Sequence, residues 1–525
     1  MYQKDTAPLM DRTFQCSTAS LAPAMAPDAS EALQQYVATS SPLAMTPEEF
    51  HAAGLQTAEL AAAYYAERPT QPVYTAPTGE VLARLRTSTL PAQGMSAEEI
   101  LNYFAREIMP YDMGNQRPTF SPWVNPAAAP ISIFMDHLAS VMNPTSAKGL
   151  HAATEVEKLV IHWLEDLIGF PTVGSGGIFV NGGSLANFHG LSAALYWASK
   201  KYGWDLRENG VQGNHPQFVI YGSREVHSCV EKSVRLLGLG MQAYHRIGVD
   251  RERRIDIHEL RKTIARDRAA GLWPFALVGS GGTVNTGVVD PLSALADLCA
   301  EEELWLHIDG AYGWPGFLDE RIAHLYGDGL ARAHSIALDG HKWLAATNTC
   351  SCTLVRDKDM LAGAFGFEAS YLCLQEDEGF GMGERFDMVG MYQTRHFLAA
   401  KLFGVLLQLG RTGLREHIMR HTNLARHMMQ QIKDTSDLEL LAETDLTVVC
   451  FRYVPAALRG DDKRLNLLNK EIVRRLMLGG EQAFVSGTDL DGCFAIRSCA
   501  LHYNLNENDV ETILAVVRRV GKQIA

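Results

Sequence analysis

The sequence predicts an α/β protein built on a mostly parallel sheet with helices on both faces. Three observations carry this reading. Between residues 150 and 342, short apolar runs alternate with longer runs at helical spacing, the pattern of repeated strand–helix units. The short runs are continuously apolar, which suits strands buried on both faces rather than half-exposed ones. Each run is also followed by a turn-forming stretch that carries polar, chemistry-capable side chains.

Composition bounds the function. A chain of 525 residues, 47% hydrophobic, can bury a large core and form two or three domains. A net charge of −13 without a Lys/Arg block argues against nucleic acid or an anionic membrane as the main partner. Nine scattered cysteines suit reduced thiols and a cytoplasmic setting better than a disulfide framework. Cys350-Ser-Cys352 lacks further ligands at metal-binding spacing and opens a strand-like run, so it is read as core, and no metal is expected. No apolar run reaches the roughly 18 to 20 residues of a membrane helix.

Residues 1–44 contain no basic segment followed by an apolar one, so they read as a poorly ordered extension rather than a signal peptide. Thr46-Pro-Glu-Glu-Phe50 then supplies a cap, a proline at the first helical position and two acidic first-turn residues, predicting a helix through Tyr65. Ser96-Ala-Glu-Glu99 opens a second, through Ile108. The stretch Pro118 to Pro126, which holds Phe120 and Trp123, has too many prolines for helix or central strand. It reads either as a connector between domains or as the aromatic wall of a pocket.

A long amphipathic helix over 150–168 leads into the alternating region. Strands are predicted over 177–180, 217–221, 275–278, 304–308 and 335–338, and helices over 184–202, 226–237, 256–269 and 291–302. Beyond residue 392 the order is helix (392–432), strand (446–453), helix (464–477), strands (482–486 and 493–497) and a final helix from Asn506. In sheets of this kind ligands bind beyond the carboxyl ends of the strands. The candidates are therefore Asn181-Gly-Gly-Ser184, the segment reaching His227, Gly279 to Gly287 with Thr283, Asp309-Gly-Ala-Tyr312 and Asp339-Gly-His-Lys342.

Each candidate has an ordinary structural explanation. Gly182-Gly-Ser184 can be a helix cap, Asp309 a turn residue, His227 a helix histidine and Lys342 a surface lysine. Each also has a chemical one. A helix start with free N–H groups holds one phosphate; a carboxylate at a core strand end wants a cation; a lysine there is paired or lowered in pKa, and can form a Schiff base. One ligand accounts for all of them together: a phosphorylated pyridine aldehyde with its phosphate on the helix start, its ring nitrogen facing Asp309 and its carbonyl held by Lys342.

The segments Val180-Asn-Gly-Gly-Ser-Leu-Ala-Asn187, Glu225-Val-His-Ser-Cys-Val-Glu-Lys-Ser233, His307-Ile-Asp-Gly-Ala-Tyr-Gly313 and Asp339-Gly-His-Lys-Trp-Leu344 resemble the signatures of the group II pyridoxal-phosphate-dependent amino acid decarboxylases, in the same order. That family includes the aromatic-L-amino-acid, glutamate, cysteine sulfinate, histidine and 2,4-diaminobutyrate decarboxylases. The resemblance runs from Thr46 to the C-terminus. It implies the fold-type I (aspartate aminotransferase-like) architecture: a helical dimerisation segment over 45–130, a large cofactor-binding domain with a mostly parallel seven-stranded sheet over 131–395, and a small C-terminal α/β domain over 396–525.

It also implies roles. Lys342 would carry pyridoxal 5′-phosphate as a Schiff base, Asp309 would pair with the ring nitrogen, His227 would stack on the ring and Ala311 would pack on its other face. Gly183 and Ser184 would meet the phosphate, with Thr283 and His341 also in the cofactor site. Ala369-Ser-Tyr-Leu-Cys373 matches the family's loop tyrosine, making Tyr371 the candidate proton donor. The following stretch to Glu384, with three glycines and four acids, reads as a mobile connection.

Asp339 departs from the Asn common in animal members, and only by facing away would it leave phosphate binding unweakened. Phe120 and Trp123 fall where the family lines its substrate pocket, and Arg395 matches a family arginine. With no Arg or Lys beside Phe120 and Trp123, an aromatic or apolar amino acid is expected, in an obligate homodimer. The alternatives are an acidic or diamino acid substrate, an oxygen-using aldehyde synthase, a non-decarboxylating enzyme of the same fold, and a catalytically dead scaffold.

Overall fold

A computed structural model describes residues 41, 43–67, 71–367 and 379–525. Two units are present. The first extends to Ala62 and includes Met95–Asn102, so it holds most of helix α1 (Pro47–Glu67) and the start of helix α2 (Ala97–Glu107). Thr46 Oγ1 accepts from the Glu49 N–H at 3.2 Å while the Glu49 carboxylate accepts from the Thr46 N–H at 2.8 Å, the reciprocal cap that the sequence predicts. Ser96 and Glu99 repeat it before α2, at 3.2 and 2.7 Å.

The second unit contains both sheets. The larger has seven strands: β1 (Gly176–Val180), β2 (Phe218–Ser223), β3 (Tyr244–Ile247), β4 (Trp273–Ser280), β5 (Trp305–Asp309), β6 (Ser335–Asp339) and β7 (Ser351–Val355), in the order β1-β7-β6-β5-β4-β2-β3. Strands β2 to β6 pair in parallel, while β7 runs antiparallel between β1 and β6. Because β7 is antiparallel to both its neighbours, β1 points the same way as β6. The carboxyl ends of β1, β2, β4, β5 and β6 therefore share one edge of the sheet, which brings together the five polar turns singled out in the sequence.

Helices occupy the parallel crossovers: α5 (Gly183–Lys201), α6 (Ser228–Leu236), α7 (Ile257–Ala269) and α8 (Leu292–Glu301), preceded by α3 (Pro130–Met142) and α4 (Ala152–Leu167). Val219, Leu277, Leu306 and Ile336 are fully buried, as strands covered on both faces require. The smaller sheet is antiparallel, β8 (Leu438–Ala442), β9 (Val448–Tyr453), β10 (Ser486–Leu490) and β11 (Cys493–Cys499), in the order β10-β11-β9-β8. It packs with α10 (Ala399–Asp434), α11 (Asp462–Met477) and α12 (Glu507–Ile524) around Phe451, Ile472, Ile496 and Val517. Helix α9 (Lys358–Phe365) follows β7.

The seven-stranded sheet is as expected, while in the smaller one the strand expected over 482–486 forms instead at Ser486–Leu490. The edge strands β3 and β8 were not expected, since Tyr-His-Arg-Ile is too polar to read as a core strand. The helical pattern of 392–432 becomes helix only from Ala399 and is interrupted at Gly410, whose φ of 58° no helix interior adopts. The Pro-rich stretch after Pro118 forms strand-like contacts: Ser121 N–H donates to Phe484 O at 2.9 Å and Cys499 N–H to Ser121 O at 2.7 Å.

Candidate active site

A cavity of about 490 Å³ opens at the shared strand ends. Gly183, Ser184, His227, Thr283, Asp309, Ala311, His341, Lys342 and Trp123 all border it. Tyr371 lies outside the described residues.

The floor is set by the turn after β6. Lys342 Nζ stands 2.9 Å from Asp339 Oδ2, with the lysine side chain 23% exposed and the aspartate 1%. Burial pushes the ammonium down, but Asp339 and then Asp309 more than offset it and hold Lys342 above its ordinary value. The lysine is thus charged and paired in this state, and its ion pair is with Asp339. Asp339 thus faces the cavity, the orientation in which the sequence reading has it weaken phosphate binding. Its neighbour His341 fixes the turn, with Nδ1 3.0 Å from the Cys350 carbonyl.

Asp309, the last residue of β5, is 8% exposed and its Oδ1 accepts from the Ala311 N–H at 3.2 Å. His227 ends the β2 turn as the N-cap of α6: its Nδ1 accepts from the Cys229 N–H at 3.2 Å, which leaves the proton on Nε2. Burial lowers its pKa, with the Asp309 carboxylate opposing, so the ring is neutral near pH 7. Thr283, 1% exposed, is held by Thr286 at 3.1 Å and by the Val288 N–H at 3.1 Å.

Helix α5 begins at the cavity without a side-chain cap. Gly182 has φ 95°, and a Cβ on Gly183 would stand 2.6 Å from Asp339 Oδ2, so both glycines are required by the backbone path and the close approach. The helix start is braced from behind. Asn187 Nδ2 donates to the Gly183 carbonyl at 2.8 Å, and its Oδ1 lies 2.9 Å from His307 Nε2, whose Nδ1 meets Ser335 Oγ at 2.8 Å. Burial lowers His307 to about 3, so it remains a neutral hydrogen-bonding link between α5 and the sheet.

Two predicted substrate residues lie elsewhere. Phe120 is 4% exposed and stacks on Phe484 at 5.4 Å, in a small cluster with Val73, behind Trp123. Arg395 is 5% exposed; it pairs with Glu157 and donates to Ser146 O at 2.6 Å and Phe179 O at 2.8 Å, which ties α4 to β1. Both terminal nitrogens are held by structure and the residue does not border the cavity, so its role is to brace the fold.

One residue the sequence reading missed borders the cavity. Arg497 in β11 donates Nε to Val284 O at 3.0 Å and Nη1 to Pro122 O at 2.6 Å, while Nη2, buried, has no partner among the described residues. An arginine inside the apolar run Phe494-Ala-Ile-Arg-Ser-Cys was the available signal. Its contact with a segment far away in sequence could only come from the fold.

These residues fit pyridoxal phosphate. An uncapped helix start behind two glycines suits one phosphate. A lysine, a buried carboxylate and a neutral histidine face the same space, which has room for the ring and an amino acid.

Comparison with known proteins agrees. Residues 80–454 match the family model described as the pyridoxal-dependent decarboxylase conserved domain. An aromatic-L-amino-acid decarboxylase of Bacillus atrophaeus is 29% identical over 489 residues, covering 93% of this chain and 98% of the relative. A Homo sapiens cysteine sulfinic acid decarboxylase is 30% identical over 387 residues, 73% of this chain and 76% of that one. Among solved structures, Oryza sativa TDC with PLP and tryptamine superposes with a TM-score of 0.84 at 25% identity, covering 93% of this chain and 100% of the other.

Proposed function

The chain belongs to the pyridoxal-dependent decarboxylase family and is a pyridoxal-phosphate-dependent carboxy-lyase acting on an amino acid; from that premise we propose that it decarboxylates an aromatic or apolar L-amino acid at Lys342. The observation that carries the assignment is the convergence of Lys342, Asp309, His227 and the start of α5 on one cavity.

In this reading Lys342 carries the cofactor, Asp309 holds the ring nitrogen's proton, and His227 and Ala311 flank the ring. Gly183 and Ser184 receive the phosphate, with Thr283 and His341 completing the wall. When bound, pyridoxal phosphate supplies a conjugated ring that accepts the electron pair left as the α-carboxylate departs as CO2. The rest of the work belongs to the chain. The carboxylate of Asp309 is buried where water screens it little, which makes it an effective partner for a protonated ring. His227, with Nδ1 committed to Cys229, presents a neutral ring face and an Nε2 proton. A proton must finally reach the substrate's α-carbon. Tyr371 is assigned that step by resemblance, and a tyrosine there favours simple amine release over oxygen chemistry.

The substrate side chain is assigned to the wall made by Trp123 and Val124, both at the cavity. A second reading, an acidic amino acid, has one specific support: the free Nη2 of Arg497 would pair with an anionic side chain. We further propose a cytoplasmic homodimer. What supports the dimer is the face of α3, where Ile133, Phe134, Leu138, Val141 and Met142 are all exposed and a second copy could cover them. No helix among the described residues is long and apolar enough to cross a membrane. Amine analysis with a panel of amino acids tests the substrate: one aromatic or apolar amine formed in step with CO2 supports it, and taurine-like or γ-amino acid products overturn it.

A further inference from the structure

Asp339 has no part in the mechanism above, yet it borders the cavity between Lys342 and the start of α5. It ends β6, is 1% exposed, and beyond the ion pair with Lys342 neither carboxylate oxygen accepts a hydrogen bond among the described residues. Its Oδ2 lies 2.6 Å, and its Oδ1 2.9 Å, from the point where a Cβ on Gly183 would stand. The carboxylate therefore sits beside the uncapped start of α5, where an anion would enter.

Resting on the assignment of that helix start to the cofactor phosphate, we propose that Asp339 limits how tightly the cofactor is held. Its carboxylate neutralises Lys342 in the cofactor-free chain and opposes the phosphate in the loaded one, so the cofactor binds reversibly.

The physical argument is a count of charges. A helix start carries only about half a positive charge, enough to favour one anion. Lys342 is the cation paired with Asp339, and it can balance either that carboxylate or an incoming phosphate, not both. The other groups around Asp339 do not make up the difference. His341 Nε2 is 3.9 Å away, at the edge of ion-pair distance, with its Nδ1 engaged by Cys350 O. Burial keeps His227 neutral, and Cys229 and Cys350 are pushed up and stay as thiols. Asp309 adds a further negative charge acting on Lys342. In a buried site this repulsion is weakly screened. An amide at 339 would remove the charge and could donate N–H to the phosphate.

The test uses pyridoxine 5′-phosphate, whose 4′-hydroxymethyl group neither condenses with a lysine nor brings an ammonium that Asp339 would attract, and reads binding by calorimetry or tryptophan fluorescence rather than activity. Lys342→Ala is compared with Lys342→Ala/Asp339→Asn, since without the ammonium the Asn substitution strands no charge; Asp339→Asn alone is compared with the unaltered chain. At pH 8 the Asn variants are expected to bind at least tenfold more tightly, while pyridoxine, which lacks the phosphate, binds equally to both members of each pair. Equal or weaker binding of pyridoxine phosphate by the Asn variants overturns the proposal, and so does equal tightening of both probes, which would place the effect on the ring. If no variant binds pyridoxine phosphate, the phosphate assignment of the helix start falls and the proposal with it.

Discussion

Arg497 Nη1 donates to the Pro122 carbonyl at 2.6 Å, so a strand of the small sheet fixes the backbone immediately before Trp123. The wall of the cavity is thereby built from two distant parts of the chain. Trp123 is 47% exposed and contributes little to the core. Trp123→Ala is expected to leave the melting temperature within 2 °C, roughly, and to cut kcat/KM on the preferred amino acid by about 10- to 100-fold, the loss of about 1.5 to 3 kcal/mol of aromatic contact. Arg497→Gln should raise KM for acidic substrates by about 30-fold or more, because it removes the guanidinium nitrogen left free at the cavity, and for aromatic ones by less, through the lost hold on Pro122. Steady-state kinetics on phenylalanine, tyrosine, tryptophan, glutamate and cysteine sulfinate checks both.

Arg395 is a structural residue, and its removal should cost stability rather than specificity. Arg395→Ala leaves Glu157, which is fully buried and already pushed up by burial, without the guanidinium that opposes that shift. A loss of about 3 to 5 kcal/mol is expected. Urea denaturation of the pair Arg395→Ala and Arg395→Ala/Glu157→Gln checks it, with the double variant recovering part of the loss.

Stability should fall in mild acid. Burial lowers His307 to about 3 and His189, His334 and His502 to about 4, against about 6.5 in an unfolded chain. Above pH 6.5 both states are neutral at these positions. Between pH 6.5 and 4 the unfolded chain takes up protons that the folded one refuses, so each histidine costs about 1.4 kcal/mol per pH unit. Asp290, raised by burial to about 6, acts in the opposite sense within the same window. The unfolding free energy should still decline from pH 6.5 to 4, and His307→Gln should make that decline shallower.

Much of this site was legible before folding. The turns carrying Gly183, His227, Asp309 and Lys342 follow apolar runs, and the rule that parallel strands deliver their ends to one edge predicted that they would meet. What the sequence could not reveal were choices made by packing. Arg395, in the irregular stretch before α10, and Arg497, on β11, are both buried, and nothing local says that one is consumed by Glu157 while the other keeps a free Nη2. Phe120 and Trp123 are three residues apart in an irregular stretch, where no periodicity tells the inward ring from the cavity wall. The direction of Asp339 was likewise undetermined, because it depends on Gly183 leaving room for it.

The most direct test of the whole account is CO2 release from a panel of L-amino acids by the protein loaded with pyridoxal phosphate, with Lys342→Ala beside it. The account predicts CO2 and a single amine in equal amounts from the unaltered chain, and loss of both, together with the visible absorbance band of the bound cofactor, in Lys342→Ala. A band without CO2 from any amino acid, or undiminished CO2 release in Lys342→Ala, would contradict it.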